Sequence, residues 1–267
     1  MKFIYLGDIM GDLGIKATER LLPEIKAKYS PDFIIAQAEN VDGGKGISIA
    51  KYNQLISLGI DFLTGGNWTL YNPEIYSYLE DPQKPIIRPA NYPNLTPGLK
   101  YKYLDTNQGK ILIISLLGKI VGKDANLELN NPLKTIDQIL EEQKNEPKIA
   151  IIVNYHGDYS SEKVVIGHYL DGRVTAVIGD HWHVPTHDYR ILPKNTAHIS
   201  DVGMIGSRNS SLGVKLDVII ARWRDNSKLR NILEDQDEIQ FNAVYIEFDP
   251  KTKEAQKILP INEYLNN

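Results

Sequence analysis

The 267-residue chain contains no cysteine. Disulfides, thiolate nucleophiles and cysteine-held structural zinc are thereby excluded, and a reducing, cytoplasmic setting is expected. No run reaches the ~18 consecutive apolar residues that a membrane span requires. The N-terminal MKFIYLGDIMGDLG has a short apolar run but lacks the longer core and cleavage site of a secretory leader. Positive charge is also in short supply: 30 Lys and Arg face 34 Asp and Glu, for a net charge of -4. Overall charge therefore gives no strong signal for a nucleic-acid partner, which leaves only a local basic patch. Internal repeats, low-complexity tracts and Pro/Gly/Ser linkers are absent too, so one domain over residues 1–267 is expected.

Without thiolates, any metal must be held by His, Asp, Glu and Asn. The stretch Val177-Ile178-Gly179-Asp180-His181-Trp182-His183-Val184 draws attention first. Val174 to Ile178 reads as a buried strand that Gly179 breaks. If the loop beyond is extended, His181 and His183 point the same way, because side chains alternate with a period of two. Two imidazoles at a strand end can serve as metal ligands; two exposed loop histidines are the competing account.

Other strand ends supply partners. Phe3–Leu6 ends at Asp8, Phe33–Ala36 at Glu39-Asn40, Asp61–Leu63 at Asn67, and Ile149–Val153 shortly before His156. In open α/β sheets, ligands bind just outside the carboxyl ends of strands. Singly, Asp8 could cap a helix and Asn67 form a turn. Repeated at successive strand ends, they read better as a site. Between these strands lie a helix from Leu13 to Tyr29 that Pro23 should kink or split, and another from Ser48 to Leu58. Asp42-Gly43-Gly44-Lys45-Gly46 lacks the spacing of a phosphate-binding P-loop. Residues 101–104 and 111–116 suggest a hairpin and 132–143 a helix. A further regular element is expected over 214–223, and a late strand over 241–248 paired near 257–261.

Asp8, Glu39, Asn40, Asn67, His156, His181 and His183 combine three nitrogen donors with hard oxygen donors. That set suits iron, manganese or zinc better than magnesium or calcium. Seven ligands exceed one four-coordinate site, which points to two ions ~3.5–4 Å apart. Such a pair acidifies a bridging water into a hydroxide nucleophile and clamps a phosphoryl group.

The ordered motifs Gly7-Asp8, Ala38-Glu39-Asn40, Gly66-Asn67 and Arg88-Pro89-Ala90-Asn91-Tyr92-Pro93 resemble the YmdB-like metallophosphoesterases. So do His156 with Ser161-Glu162-Lys163, Asp171-Gly172-Arg173, the Gly179, His181, His183, Val184 loop, and Asp201-Val202-Gly203-Met204. This is a branch of the calcineurin-like phosphoesterases, and the likeness runs past residue 200. It implies a four-layer α/β/β/α sandwich, a dinuclear centre, and hydrolysis of phosphodiesters, 2′,3′-cyclic nucleotides among them. By position, Asp8, Glu39, Asn40 and His183 correspond to ligands of one ion. Glu39 (bridging), Asn67, His156 and His181 correspond to those of the other. A homo-oligomer is also implied, although no surface feature of the sequence identifies it. Arg88 and Asn91 fall in a signature without a metal role: a substrate-facing rim and a Pro-fixed structural turn are both open.

Two departures stand out. The family usually has His where this chain has Trp68, and indole cannot donate a proton near neutral pH. Trp68 could instead stack on a base or simply pack its loop. Asn154 stands where the family has an acidic residue, so His156 should be oriented more weakly. His187, four residues past His183, could lean over the site as a replacement acid or be a solvated loop residue. The alternative to an active phosphodiesterase is a metal-containing nucleotide-binding or regulatory protein with weak or no turnover.

Overall fold

Phe3, Ile4, Tyr5 and Leu6 are all buried, as expected for a strand covered on both faces. Phe3 and Tyr5 pack with one hydrophobic cluster and Ile4 and Leu6 with another, the period-two separation of a strand. The computed structural model describes residues 1–236 and 238–266. In chain order the elements are β1 (Lys2–Leu6), β2 (Asp8–Ile9), α1 (Gly11–Tyr29), β3 (Phe33–Gln37), α2 (Ile49–Ser57), β4 (Phe62–Thr64) and α3 (Tyr76–Glu80). There follow β5 (Tyr101–Thr106), β6 (Gly109–Leu117), α4 (Pro132–Glu142), β7 (Ala150–His156), α5 (Ser160–Tyr169) and β8 (Ala176–Asp180). The chain closes with β9 (Arg190–Ile191), β10 (Ala197–Ile199), β11 (Met204–Ser207), α6 (Leu216–Asp225), β12 (Ile239–Phe248) and β13 (Ala255–Leu265).

Two sheets result. The first runs β2-β11-β12-β1-β3-β4, with β13 on β12, and the second runs β5-β6-β7-β8-β10-β9. Phe3, Tyr5, Ile35 and Phe62 of the first sheet meet Ile113, Ile152 and Ile178 of the second in a shared core. The outer face of the first sheet is covered by Leu21, Leu22 and Ile25 of α1 and Leu55 of α2. That of the second is covered by Ile136 and Ile139 of α4 and Ile166 of α5. The order helix, sheet, sheet, helix is the four-layer sandwich expected. Parallel β1, β3 and β4 and parallel β6, β7, β8 and β10 give each sheet a set of carboxyl ends. None of the described helices is long and apolar enough to cross a membrane.

Three expectations need correction. Pro23 does not split α1, which continues from Gly11 to Tyr29. Gly179 does not break its strand, because β8 runs on through Asp180. A Cβ at Gly179 would lie 1.8 Å from the Ser200 carbonyl oxygen, so glycine is needed there for close backbone approach. The HxH loop is also not extended. His181 and His183 have φ of 106° and 61°, so strand alternation is not what aims their rings.

Candidate metal centre

Asp8 enters the site as the first residue after β1 and Gly7, Glu39 and Asn40 as the turn beyond β3, and Asn67 after β4. His156 is the last residue of β7, and His181 follows β8 directly. The seven sequence-predicted candidates thus gather between the two sheets. Glu39, His156 and His181 place ligand atoms within 4.8 Å of one another. Nε2 of His156 is 2.9 Å from Glu39 Oε1 and 3.0 Å from Asn67 Oδ1. Asn67 is aimed by its other end, since its Nδ2 donates to Asp124 Oδ2 at 2.8 Å. The second group is looser: the Asn40 amide lies 3.2 Å from Asp8 Oδ1 and 3.3 Å from His183 Nε2. Gly66 makes room for the first group, because a Cβ there would stand 2.5 Å from both Glu39 Oε2 and His156 Nε2.

The HxH loop is held under strain. Positive φ at a non-glycine residue costs on the order of 1–3 kcal/mol and persists where surroundings over-determine it. Here the His181 N–H donates to Asp8 Oδ2 at 3.1 Å, and the Trp182 N–H to Asp201 Oδ2 at 2.9 Å. Lys163, wholly buried, donates to Asp201 and to the Asp180 carbonyl, both at 2.6 Å, and sits 4.0 Å over the Trp182 ring.

The electrostatics call for a cation. Asp8 is buried, and burial, followed by the nearby Asp180, pushes its carboxyl well above the usual range. Burial works the same way on Glu39, but His156 overcomes it and holds that carboxyl low. Burial also opposes charge on His156, yet Glu39 and Asp180 raise its pKa well above the ordinary value. These acidic neighbours favour positive charge at the ring, which a bound metal can supply in place of a proton. Glu39 Oε1 is buried and faces the His156 ring at 2.9 Å, with further acceptor capacity that a cation can fill. His183 is pushed down to about 4 by burial and then by His181. Its Nδ1 donates to the Leu212 carbonyl at 3.2 Å, which leaves the Nε2 lone pair turned to the Asn40 amide. The donor set fits a first-row transition metal.

His156 is not weakly oriented. In the register of β7 and β8, His156 lies beside Asp180, whose Oδ1 takes the Nδ1 proton at 2.7 Å. Oδ2 of Asp180 accepts from Tyr5 OH at 2.7 Å, Asn154 Nδ2 at 2.6 Å and Gln37 Nε2 at 3.1 Å. Asn154 thus supports a carboxylate that the chain carries on the next strand. Sequence reading missed Asp180 although it directly precedes the HxH motif, because a polar residue before His181 gives no sign of which ring it will meet.

Arg88 and Asn91 do not face this site. The Arg88 guanidinium is buried and donates to the carbonyls of Pro97, Pro89 and Thr96 at 2.9, 2.7 and 3.2 Å. Asn91, fully buried, bonds the Leu117 backbone through both ends of its amide. Arg88 closes the 88–97 loop on itself and Asn91 ties it to the end of β6, as the structural-turn account expects. Arg88→Ala should leave three carbonyls unpaired and cost roughly 3 kcal/mol, a Tm loss on the order of 6–12 °C. Thermal melts check this; an unchanged Tm would contradict the assignment. His187 also lies elsewhere. It is exposed, stands edge-on to Tyr189 and lines a separate cavity with Thr186 and Asn262, so it cannot replace an acid at the site.

Trp68 does belong to the site. Its N–H donates to Glu39 Oε2 at 2.7 Å, and its half-buried indole lines a cleft of about 1030 Å³ with Asn67, His181 and Asp158. Lys45 Nζ stands 4.6 Å over the ring, and Tyr71 packs edge-on at 5.6 Å. Asp158, which sequence reading also missed, brings Oδ2 to 3.4 Å from His181 Nε2. Burial opposes its charge, but the His181 contact and the Val121 N–H keep its carboxyl below the usual value.

Known proteins match this chain along nearly its whole length. A Bacillus subtilis (strain 168) protein named 2′,3′-cyclic-nucleotide 2′-phosphodiesterase is 37% identical over 259 residues, covering 97% of this chain and 95% of the relative. A putative phosphatase/phosphodiesterase of Mycoplasma pneumoniae is 32% identical over 96% of this chain and 91% of its own length. Among solved structures, a phosphatase of Mycoplasma pneumoniae superposes with a TM-score of 0.91 at 31% identity, covering 99% and 93% of the two chains. A hypothetical protein from Thermus thermophilus gives 0.88 at 32% identity, with 99% of each chain covered. The profile of the family described as YmdB-like protein matches residues 4–261. The chain belongs to the YmdB-like family.

Proposed function

We propose that this protein is a phosphodiesterase that works with two transition-metal ions, iron or manganese ahead of zinc, and opens 2′,3′-cyclic nucleotides. The observation that carries the reading is the meeting of Glu39 Oε1, Asn67 Oδ1 and His156 Nε2, two oxygens and a nitrogen that converge in a buried place as ligands of one cation would. Asp8, Asn40 and His183 would hold one ion and Asn67, His156 and His181 the other, with Glu39 between them. Bound there, the ions would acidify water and offset the charge of a phosphoryl group. The phosphatase and phosphodiesterase relatives support the reaction class. The protein's own groups do the rest. Trp68 N–H fixes Glu39, Asp124 fixes Asn67, Asp180 fixes His156, and the Trp68 face offers a base a stacking surface.

Water would add to phosphorus as the bond to the 2′ oxygen breaks, leaving a 3′-phosphate and a 2′-hydroxyl. A second reading, a nucleotide-binding regulatory protein with little turnover, is favoured by Trp68, which brings no transferable proton to the cleft. Steady-state assays on a 2′,3′-cyclic nucleotide and on an aryl carboxylic ester separate the two. Repeated turnover of the first, with far slower cleavage of the second, is the expected result. Tight binding without turnover would favour the regulatory reading.

The support given to His156 yields another prediction. Partners that orient a metal-ligating imidazole typically contribute 10–100-fold in metal affinity, so Asp180→Asn should weaken binding by about that much. Asn154→Asp alone should also weaken it, because two buried carboxylates would stand where Nδ2 and Oδ2 are now 2.6 Å apart. Combining Asn154→Asp with Asp180→Asn keeps one carboxylate in the pair and should return part of the loss. Competition with a calibrated chelator reads all three; additive losses in the double variant would refute the account.

A further inference from the structure

The cleft at the candidate metal centre has a basic wall over 222–230, in a chain whose net charge is -4. Lys45, Arg222, Lys228 and Arg230 line the same 1030 Å³ space as Asn67, Trp68 and His181. None of the four forms an ion pair among the described residues, whereas their neighbours Arg208 and Arg224 pair with Glu238 and Asp225. The acids of the cleft are already engaged: Asp124 accepts from Asn67, and Asp158 accepts from the Val121 N–H and faces His181. Arg222 also braces the wall, donating from Nη2 to the Leu229 carbonyl at 2.5 Å. Cations without acidic partners that line one cleft repel each other and favour an anionic occupant. The volume is at the upper end of the ~300–1000 Å³ in which a protein buries a drug-sized ligand. One cyclic phosphodiester at the metal end leaves most of it unfilled.

We infer that this wall is a subsite for a second phosphate, so that the preferred substrate is a nucleotide carrying a phosphate besides the cyclic one. The inference rests on the phosphodiesterase reading and narrows its substrate class. In this arrangement the cyclic phosphodiester lies against Asn67 and His181, the base can lie on Trp68, and the next phosphate meets Arg222, Lys228 and Arg230. Net charge concealed this, because Asp and Glu elsewhere on the surface outnumber the local cations. Such a phosphate could come from a 5′-phosphorylated mononucleotide or from the end of an RNA strand.

Three substrates ending in a 2′,3′-cyclic phosphate distinguish these sources: a mononucleotide with a free 5′-hydroxyl, the same with a 5′-phosphate, and a trinucleotide. A charge-assisted contact to the added phosphate should raise kcat/KM about 10-fold or more over the 5′-hydroxyl compound. A gain complete with the 5′-phosphate identifies the mononucleotide source, and one reached only by the trinucleotide identifies an RNA end. Arg222→Ala and Arg230→Ala should each shrink the ratio between added-phosphate and 5′-hydroxyl substrates, and combined with Lys228→Ala should bring it within about twofold. Arg224→Ala, outside the cleft, should preserve the ratio. Calorimetric binding of the matching 3′-phosphate products gives a readout without turnover. Each added phosphate should steepen the dependence of log K on log salt by ~0.7. Equal kcat/KM for all three substrates with equal product affinities, or a ratio that survives the triple variant, overturns the subsite. Tighter binding of added-phosphate products with no turnover of any substrate would instead leave the subsite standing and overturn the phosphodiesterase reading.

Discussion

Removal of metal should cost this protein both its activity and much of its heat resistance. Asp8, Glu39 and Asp180 are buried carboxylates around buried His156 and His183, and buried charges require compensation. A metal at 1,000 times its dissociation constant stabilises the native state by about 4 kcal/mol. For a chain of this size that corresponds to a Tm shift on the order of 8–16 °C. The electrophilic assistance of the ions is worth several kcal/mol in the transition state, so the rate should fall by ~10³ or more. Elemental analysis should give close to two ions per chain before chelation, and iron or manganese should restore Tm and rate together. His156→Ala, which removes the best-packed nitrogen of the site, should copy the chelated state and resist restoration. A protein that melts and turns over unchanged after its metal content has reached zero would dispose of the dinuclear reading.

Trp68→His should produce the largest gain. The bond from the residue 68 backbone to Glu39 survives any side-chain change, so the substitution tests the ring alone. A proton donor at the mouth of the site is worth ~10²–10⁴ in rate. The increase should appear on a cyclic nucleotide, whose leaving alkoxide needs a proton. It should be far smaller on a nitrophenyl diester, whose leaving oxygen needs little. KM for the nucleotide should rise several-fold if the indole now stacks on its base, since a base–aromatic contact contributes about 1–3 kcal/mol. His187→Ala should change neither rate, because that ring lies beside a different cavity. Unchanged rates on both substrates in Trp68→His, at equal metal content, would show that proton donation does not limit this enzyme.

The candidate ligands were legible in the chain because a carboxylate, an amide or an imidazole just after an apolar run is a local pattern. The strand and the residue beyond it are neighbours in sequence, and the parallel sheets bring such ends together. Asp8, Glu39, Asn67 and His156 could be named for that reason, whereas the four-layer sandwich was implied by the resemblance of the ordered motifs to a family. The tertiary structure decided which groups stand behind them. Asp180 meets His156 only because β7 and β8 pair in one register, and a slip of one residue would turn it to the other face. Arg88 is a buried brace because its own loop folds back to offer it the carbonyls of Pro89, Thr96 and Pro97. His187 is an outlying ring because its loop closes on a cavity shared with Ala243, Pro260 and Asn262, distant in sequence. The cations of the cleft follow the same logic: Lys45 and Arg230 are 185 positions apart in the chain, and only folding brings them to one cleft. Residue chemistry is written locally, whereas the partner of each charge depends on chain segments that meet only after the sheets have formed.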